Sequence, residues 1–389
     1  MENTNRVNLV QTSCFGQGAI NQLPQEVKKR GYKRALVITD RFLYESGTAQ
    51  KVCDKLKEAD IHSFIYYGVE PNPTVDVVNT CVDAAKEIKP DFLVALGGGS
   101  PIDACKAVSI LITNGGSVTD FEGVNKSSKK GLPVVAINTT AGTGSEVTSF
   151  YVITDKKRNS KMVMVDTNCI VDIVVNDVDY MISMPPALTA ATGMDAMTHA
   201  VEAVLSRHAT PFTDKDALWS ISAIHKYLPK AVAAGSDIEA RTIMAYAAYT
   251  AGIAFSNSGL GMVHAMAHSL GGFYNLPHGV CNAVLLPYVL EFNGRCKDIQ
   301  PLFGKIAEAL GLKGLQWGGP KREVSESIRE IKKLCKTVGI PEKLSLLKGV
   351  NSKDFPALAE LALKDTCMPG NKVIPTLEQV IEVYQQAFQ

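Results

Sequence analysis

Short apolar runs punctuate the first half of the chain. Arg34 to Thr39 (RALVIT), Ser63 to Tyr67 (SFIYY), Asp91 to Leu96 (DFLVAL) and Pro133 to Asn138 (PVVAIN) read as strands. Between them the period changes. Across Thr74 to Ile88, Val75, Val78, Val82 and Ala85 fall on one face of a helix. Strands alternating with helices predict a parallel sheet covered on both faces, a Rossmann-like α/β fold. After Met184-Pro185-Pro186 the texture shifts to Ala-, Met- and Leu-rich helical stretches with few strands. We therefore expect an α/β domain over residues 1–185 and an all-helical domain over 186–389. Neither an internal repeat nor a low-complexity linker separates them, so the two halves are expected to pack tightly and form a cleft.

Composition narrows the function class. At 389 residues the chain exceeds one typical domain. A formal net charge of +1 gives no field to favour nucleic acid or an anionic membrane. The start, MENTNRVNLV, has no apolar stretch of a signal peptide, and no apolar run approaches the ~20 residues of a spanning helix. The nine cysteines are scattered, odd in number and form no CxxC pair, which points to a reduced, cytoplasmic setting.

GGGSPIDACK, Gly97 to Lys106, follows the strand DFLVAL and opens a helix. Its glycines permit a tight turn and close backbone approach. With Ser100 as N-cap and Pro101 as first helical residue, exposed N–H groups and the helix dipole would favour a phosphate. A ligand-free strand-to-helix turn is the plainer alternative, since no GxGxxG is present. NTTAGTGSE, Asn138 to Glu146, follows the next strand with hydroxyls and glycines suited to a pyrophosphate or ribose. Asp40 ends RALVITD, where a carboxylate can accept from ribose hydroxyls and would repel a 2′-phosphate, favouring NAD over NADP. Alone, it would more often be a turn or cap residue.

The chain holds seven histidines, and three lie within fifteen residues: His264, His268 and His278. Asp195 and His199 are spaced i, i+4 in a helical context, as are His264 and His268. His278 sits in a Pro-His-Gly turn, where a loop can swing its imidazole back toward the helices. One aspartate and three histidines satisfy a divalent first-row ion such as Fe(II) or Zn(II) and leave a position open for a substrate oxygen. A histidine pair alone would more often be structural. His62, His208 and His225 lack such partners, and Met194, Met197, Met262 and Met266 read as core.

Together EPNPT (70–74), GGGSP, NTTAGTGSE, MPPALTAATGMDAMTHAVEA, GLGMVHAMAHSLGG and PHGVCNAVLLP closely resemble the iron-containing, group III alcohol dehydrogenase family over essentially the whole chain. The resemblance implies a dinucleotide-binding α/β domain, an all-helical domain and an active site in the cleft between them. It implies Asp195, His199, His264 and His278 as metal ligands, with His268 beside the nicotinamide and substrate as a catalytic candidate. For NAD(H) it implies Asp40, Asn72, Gly98, Gly99, Ser100, Thr139, Thr140, Thr143, Thr148 and Lys161. For the substrate pocket it implies Phe150, Phe255 and Cys367. It favours Fe(II), although Zn(II) suits the same donors. Ile102, Ser256, Phe150 and Pro369-Gly370-Asn371-Lys372 depart from close relatives and bear on substrate identity.

The expected activity is hydride transfer between NAD(H) and a small primary alcohol or aldehyde, run as an aldehyde reductase by a cytoplasmic homo-oligomer. Two rivals are an NAD- and metal-dependent lyase of the dehydroquinate synthase type, which would return its cofactor unchanged, and a non-catalytic nucleotide- or metal-binding protein.

Overall fold

The computed structural model describes residues 4–158, 160–314 and 318–389. The chain divides into two compact units, one of residues 1–140 and 144–182 and one of residues 141–143 and 183–389. The three-residue excursion at 141–143 is invisible in the sequence pattern, because its residues are those of a loop.

The first unit is built on a six-stranded, all-parallel sheet in the order β1-β9-β6-β4-β2-β3. These are β1 (Thr12–Phe15), β2 (Arg34–Asp40), β3 (His62–Val69), β4 (Phe92–Gly97), β6 (Val134–Asn138) and β9 (Ile173–Asn176). A smaller sheet, β5-β8-β7, joins β5 (Gly123–Val124) to β7 (Phe150–Asp155) and β8 (Ser160–Val165). Helices α1 (Leu23–Lys29), α2 (Arg41–Glu45), α3 (Thr48–Lys57), α4 (Val75–Ile88) and α5 (Gly99–Asn114) complete it.

Central strands β2, β4 and β6 bury residues of both parities; Val37 and Ile38, Leu93 and Val94 are all inaccessible. That is the mark of a sheet covered on both faces. Val37, Val94 and Ile137 pack with Leu23, Val27, Val52 and Leu56 of α1 and α3.

Topology places a ligand site. From β2 the chain runs outward to β3; from β4 it runs the other way to β6 and β9. The reversal lies between β2 and β4, whose C-terminal ends carry Asp40 and Gly97. Open α/β sheets bind ligands at such a switch point.

The second unit is helical: α6 (Pro186–Leu205), α7 (Pro211–Ala233), α8 (Ile238–Ser258), α9 (Met262–Tyr274), α10 (His278–Gly294), α11 (Gln300–Ala309), α12 (Pro320–Thr337), α13 (Phe355–Lys364) and α14 (Leu377–Phe388). Pro186 supplies the fixed φ that starts α6. Helix α6 is buried along almost its whole length, so its polar residues Asp195, His199 and Glu202 lie in the core. Met194, Met197, Met262 and Met266 are core residues. No described helix is long and apolar enough to cross a membrane.

Candidate active site

Asp195 and His199 sit one turn apart on α6, and Glu202 follows on the same face. His264 and His268 sit one turn apart on α9. The chain enters α9 through Gly261, where a Cβ would stand 2.9 Å from Asn371 Oδ1 and 3.1 Å from Glu202 Oε1. His278 is not in a loop, as the sequence suggested, but is the first residue of α10. Gly279 explains how α10 comes in so close: a Cβ there would fall 2.2 Å from the Ala191 carbonyl oxygen of α6.

Four side chains from three helices therefore converge. Ligand atoms of Asp195, His199, His264 and His278 all lie within 4.8 Å of one another. The Nε2 atoms of His264 and His278 are 3.8 and 3.6 Å from Asp195 Oδ1, gaps that one ion bonded at about 2.0–2.2 Å to each would bridge. Burial pushes His199 down to about 3 and His264 well below the usual imidazole range, so both rings are neutral and offer lone pairs.

Glu202 shapes the set from behind. Its Oε2 lies 2.5 Å from His264 Nδ1, and its Oε1 accepts from the Val263 N–H at 2.7 Å. Burial raises this carboxyl to about 7 while it lowers His264, so the pair shares one proton rather than separating two charges. With that proton on Nδ1, His264 turns the Nε2 lone pair inward. Asn282 Nδ2 donates to Asp195 Oδ1 at 2.7 Å and lies 3.1 Å from Nε2 of both His264 and His278. Three imidazoles and a carboxylate fit a divalent first-row ion.

Around this set, Phe255 stacks on His199 with ring centroids 4.3 Å apart. His268 stacks on His278 at 5.1 Å, and its Nδ1 lies 2.9 Å from Asp365 Oδ2. Cys367 is buried beside it, its thiol pushed well above the usual range by burial. His225 pairs with Glu330 at 3.0 Å, and His62 and His208 are exposed, as ordinary surface residues would be.

In the first unit, helix α5 begins at Gly99 with Gly98 as its N-cap, so Ser100 and Pro101 lie inside the first turn rather than at the cap and first position. Gly97 has φ +144°, and a Cβ there would meet Pro101 Cγ at 2.5 Å. Gly98 packs on Thr140, and the Thr139 N–H donates to the Gly97 carbonyl at 3.1 Å. Asn72, in the left-handed region at φ +56°, joins its neighbours: its N–H donates to Ser100 Oγ at 3.3 Å and its Oδ1 accepts from Lys161 Nζ at 2.9 Å. Asp40 caps α2, one oxygen accepting from the Leu43 N–H at 2.9 Å. Thr143 belongs, with Ala141 and Gly142, to the second compact unit.

Two charged side chains, buried Lys106 and half-buried Asp103, hold the segment bearing Thr148 and Phe150. Lys106 Nζ donates to the carbonyls of Ser145, Thr148 and Phe150 at 2.5, 2.8 and 2.8 Å. Asp103 accepts from Ser145 Oγ at 2.5 Å and the Val152 N–H at 3.0 Å. Burial lowers the lysine and raises the aspartate.

Comparison with known proteins decides what this arrangement is. Residues 11–178 match the family described as iron-containing alcohol dehydrogenase, and residues 189–388 match the C-terminal part of the Fe-containing alcohol dehydrogenase family. The chain belongs to the iron-containing alcohol dehydrogenases. It is 44% identical over 377 residues to alcohol dehydrogenase 4 of Saccharomyces cerevisiae, covering 97% of each chain. It is 41% identical over 377 residues to the NAD-dependent methanol dehydrogenase of Bacillus methanolicus, covering 96% and 97%. The solved 1,3-propanediol oxidoreductase superimposes with a TM-score of 0.95 at 40% identity, covering 99% of this chain and 100% of that one. For an iron-containing alcohol dehydrogenase, a lyase outcome is not favoured.

Sequence reasoning passed over Glu202, Asn282, Lys106 and Asp365. Glu202 carried a signal, lying at i+3 from His199 and i+7 from Asp195 on the same helical face. Asp365 carried none, because nearly a hundred residues separate it from its partner His268.

Proposed function

We propose that this iron-containing alcohol dehydrogenase interconverts a small primary alcohol and its aldehyde with NAD(H), working chiefly as an aldehyde reductase. The observation that carries the reading is the convergence of Asp195, His199, His264 and His278 within 4.8 Å. These four hold Fe(II), with Zn(II) as a chemically acceptable substitute. When bound, the ion supplies Lewis-acid polarisation of a substrate oxygen and the dinucleotide supplies the hydride.

The chain's own residues bind, orient and move a proton. Gly98, Gly99, Ser100, Thr139, Thr140, Thr143 and Thr148 receive the phosphates and ribose; Asn72 and Lys161, already bonded to one another, add a polar anchor. Asp40 uses one oxygen to cap α2, and its carboxylate at the end of β2 disfavours a 2′-phosphate. Phe255, stacked on His199, and buried Cys367 give the second unit apolar groups that suit a short carbon chain, and Phe150 of the first unit is a further candidate for the substrate pocket. Reduction adds a hydride to the carbonyl carbon and a proton to its oxygen, and we assign the proton to His268. The residues over 1–185 serve the dinucleotide and those over 186–389 the metal and substrate. Nine free cysteines among the described residues suit a reduced cytoplasm, and the family resemblance implies a homo-oligomer.

The test is NADH oxidation by anaerobically Fe(II)-loaded protein across small aldehydes, beside a chelated control. Rapid turnover of at least one aldehyde, lost with the metal, is expected. No turnover despite bound metal and NADH would overturn the reading.

A further inference from the structure

We infer that Asp365 is a positioning residue that sets the tautomer and ring plane of His268, an inference that rests on the proton role proposed above for that histidine. Asp365 is itself held through side chain and backbone. One oxygen accepts from the Cys367 N–H at 2.7 Å, and the Asp365 N–H donates to the Ala362 carbonyl at 3.2 Å, where α13 ends. The other oxygen lies 2.9 Å from His268 Nδ1, and both side chains are only 7% exposed. An ionised carboxylate can only accept, so Nδ1 carries the ring proton. Nε2 is then the nitrogen left to exchange a proton.

The ring plane is fixed by independent contacts. His268 lies nearly parallel to His278, at 13°, and presents an edge to His264 at 5.9 Å. Aspartate on one side and imidazole faces on the other leave the ring little freedom to swing or to flip its nitrogens. A buried imidazole without the carboxylate could present either nitrogen, and only one tautomer serves.

A competing use of the same atoms is a second metal. His268, Asp365 and Cys367 also offer ligand atoms within 4.8 Å of one another. Here, however, His268 Nδ1 and Asp365 Oδ2 stand at hydrogen-bond distance, 2.9 Å, against 3.6 and 3.8 Å from Asp195 Oδ1 to its two imidazole partners, and burial pushes the Cys367 thiol well above its usual range, which disfavours the thiolate a metal takes. The hydrogen-bonded reading therefore uses the residues as they stand and predicts one metal per chain.

Asp365→Asn is the sharpest test because it keeps size and the Cys367 contact. The Cys367 N–H requires the amide oxygen, which turns the NH2 group toward His268 and makes Nδ1 an acceptor. The proton moves to Nε2, the wrong tautomer. We expect D365N to lower kcat by about 10- to 1000-fold, up to the loss seen in H268A, because general acid–base catalysis is worth roughly 10²–10⁴. KM for aldehyde and NADH should change less than threefold, and metal content should stay at one per chain. D365A should lower kcat too, yet add nothing in an H268A background. Nitrogen-15 NMR of the Zn(II)-loaded protein should show the His268 proton on Nδ1 in the parent and on Nε2 in D365N.

Each contrary outcome is separable. If H268A keeps its kcat, the proton role of His268 falls, while the NMR tautomer still reports on Asp365. If H268A loses kcat but D365N does not, or the tautomer is unchanged in D365N, the inference is overturned. Two metals per chain, falling to one in D365A, would overturn it in favour of a second metal site.

Discussion

Replacing Glu202 by glutamine tests how the second layer of residues prepares the metal site. The exchange preserves volume in a side chain that is 4% exposed. What changes is hydrogen bonding. The Val263 N–H, 2.7 Å from Oε1, requires an acceptor, so the glutamine oxygen stays there and its NH2 faces His264 Nδ1. That orientation forces the ring proton onto Nε2, the atom pointing at Asp195 Oδ1, where it blocks metal ligation. To restore the ligand, the amide must turn over and leave the Val263 N–H facing a donor. Losing one buried hydrogen bond to a charged group costs about 1.5–3 kcal/mol. At 1.4 kcal/mol per decade, metal affinity should fall about 10- to 100-fold. Competition against a chromophoric chelator reads this directly, with circular dichroism to check the fold. A folded Glu202→Gln protein whose affinity lies within threefold of the parent would refute the claim that Glu202 sets the His264 tautomer.

Other perturbations reach different layers. Gly279→Ala puts a methyl 2.2 Å from a backbone oxygen of α6, so stability should fall by about 1–3 kcal/mol and metal binding should weaken as His278 is displaced; chemical denaturation and metal analysis check both. Lys106→Met strands three carbonyls beneath the segment bearing Thr148, and should lower the melting temperature and raise KM for NADH more than it lowers kcat. Asp40→Gly removes the charge that opposes a 2′-phosphate while costing only a few tenths of a kcal/mol as a cap; kcat/KM should rise for NADPH and fall for NADH. Chelation should lower the thermal midpoint, since a ligand bound only by the folded state stabilises it, and Fe(II) or Zn(II) should restore it.

The strands at 34–40, 92–97 and 134–138 were legible because buried parallel strands are apolar in unbroken runs, and the edge strand at 62–69 because of its aromatic and β-branched residues, although Phe64 and Tyr67 are exposed. Strands β1 and β9 were not, being four residues each, nor was the small sheet of β5, β7 and β8, whose β7 alternates between half-buried and buried positions beside polar turns. The metal set was legible because Asp195 and His199 obey helical spacing, as His264 does with its neighbour His268. The position of His278 was misjudged because a Pro-His-Gly sequence reads as a turn, yet proline at a helix N-cap followed by a glycine that tolerates close approach begins α10 instead. Glu202 and Asp365 show the limit. Their roles come from which nitrogen of a histidine they face, a three-dimensional fact that spacing does not encode.

The most direct test of the central claim is to titrate chelated protein with Fe(II) under anaerobic conditions and follow both bound metal and aldehyde-dependent NADH oxidation. Turnover should rise linearly with occupancy to one ion per chain, and the Asp195→Ala and His264→Ala proteins should neither bind the ion tightly nor turn over. Full turnover without metal, or undiminished metal binding in those two variants, would contradict it.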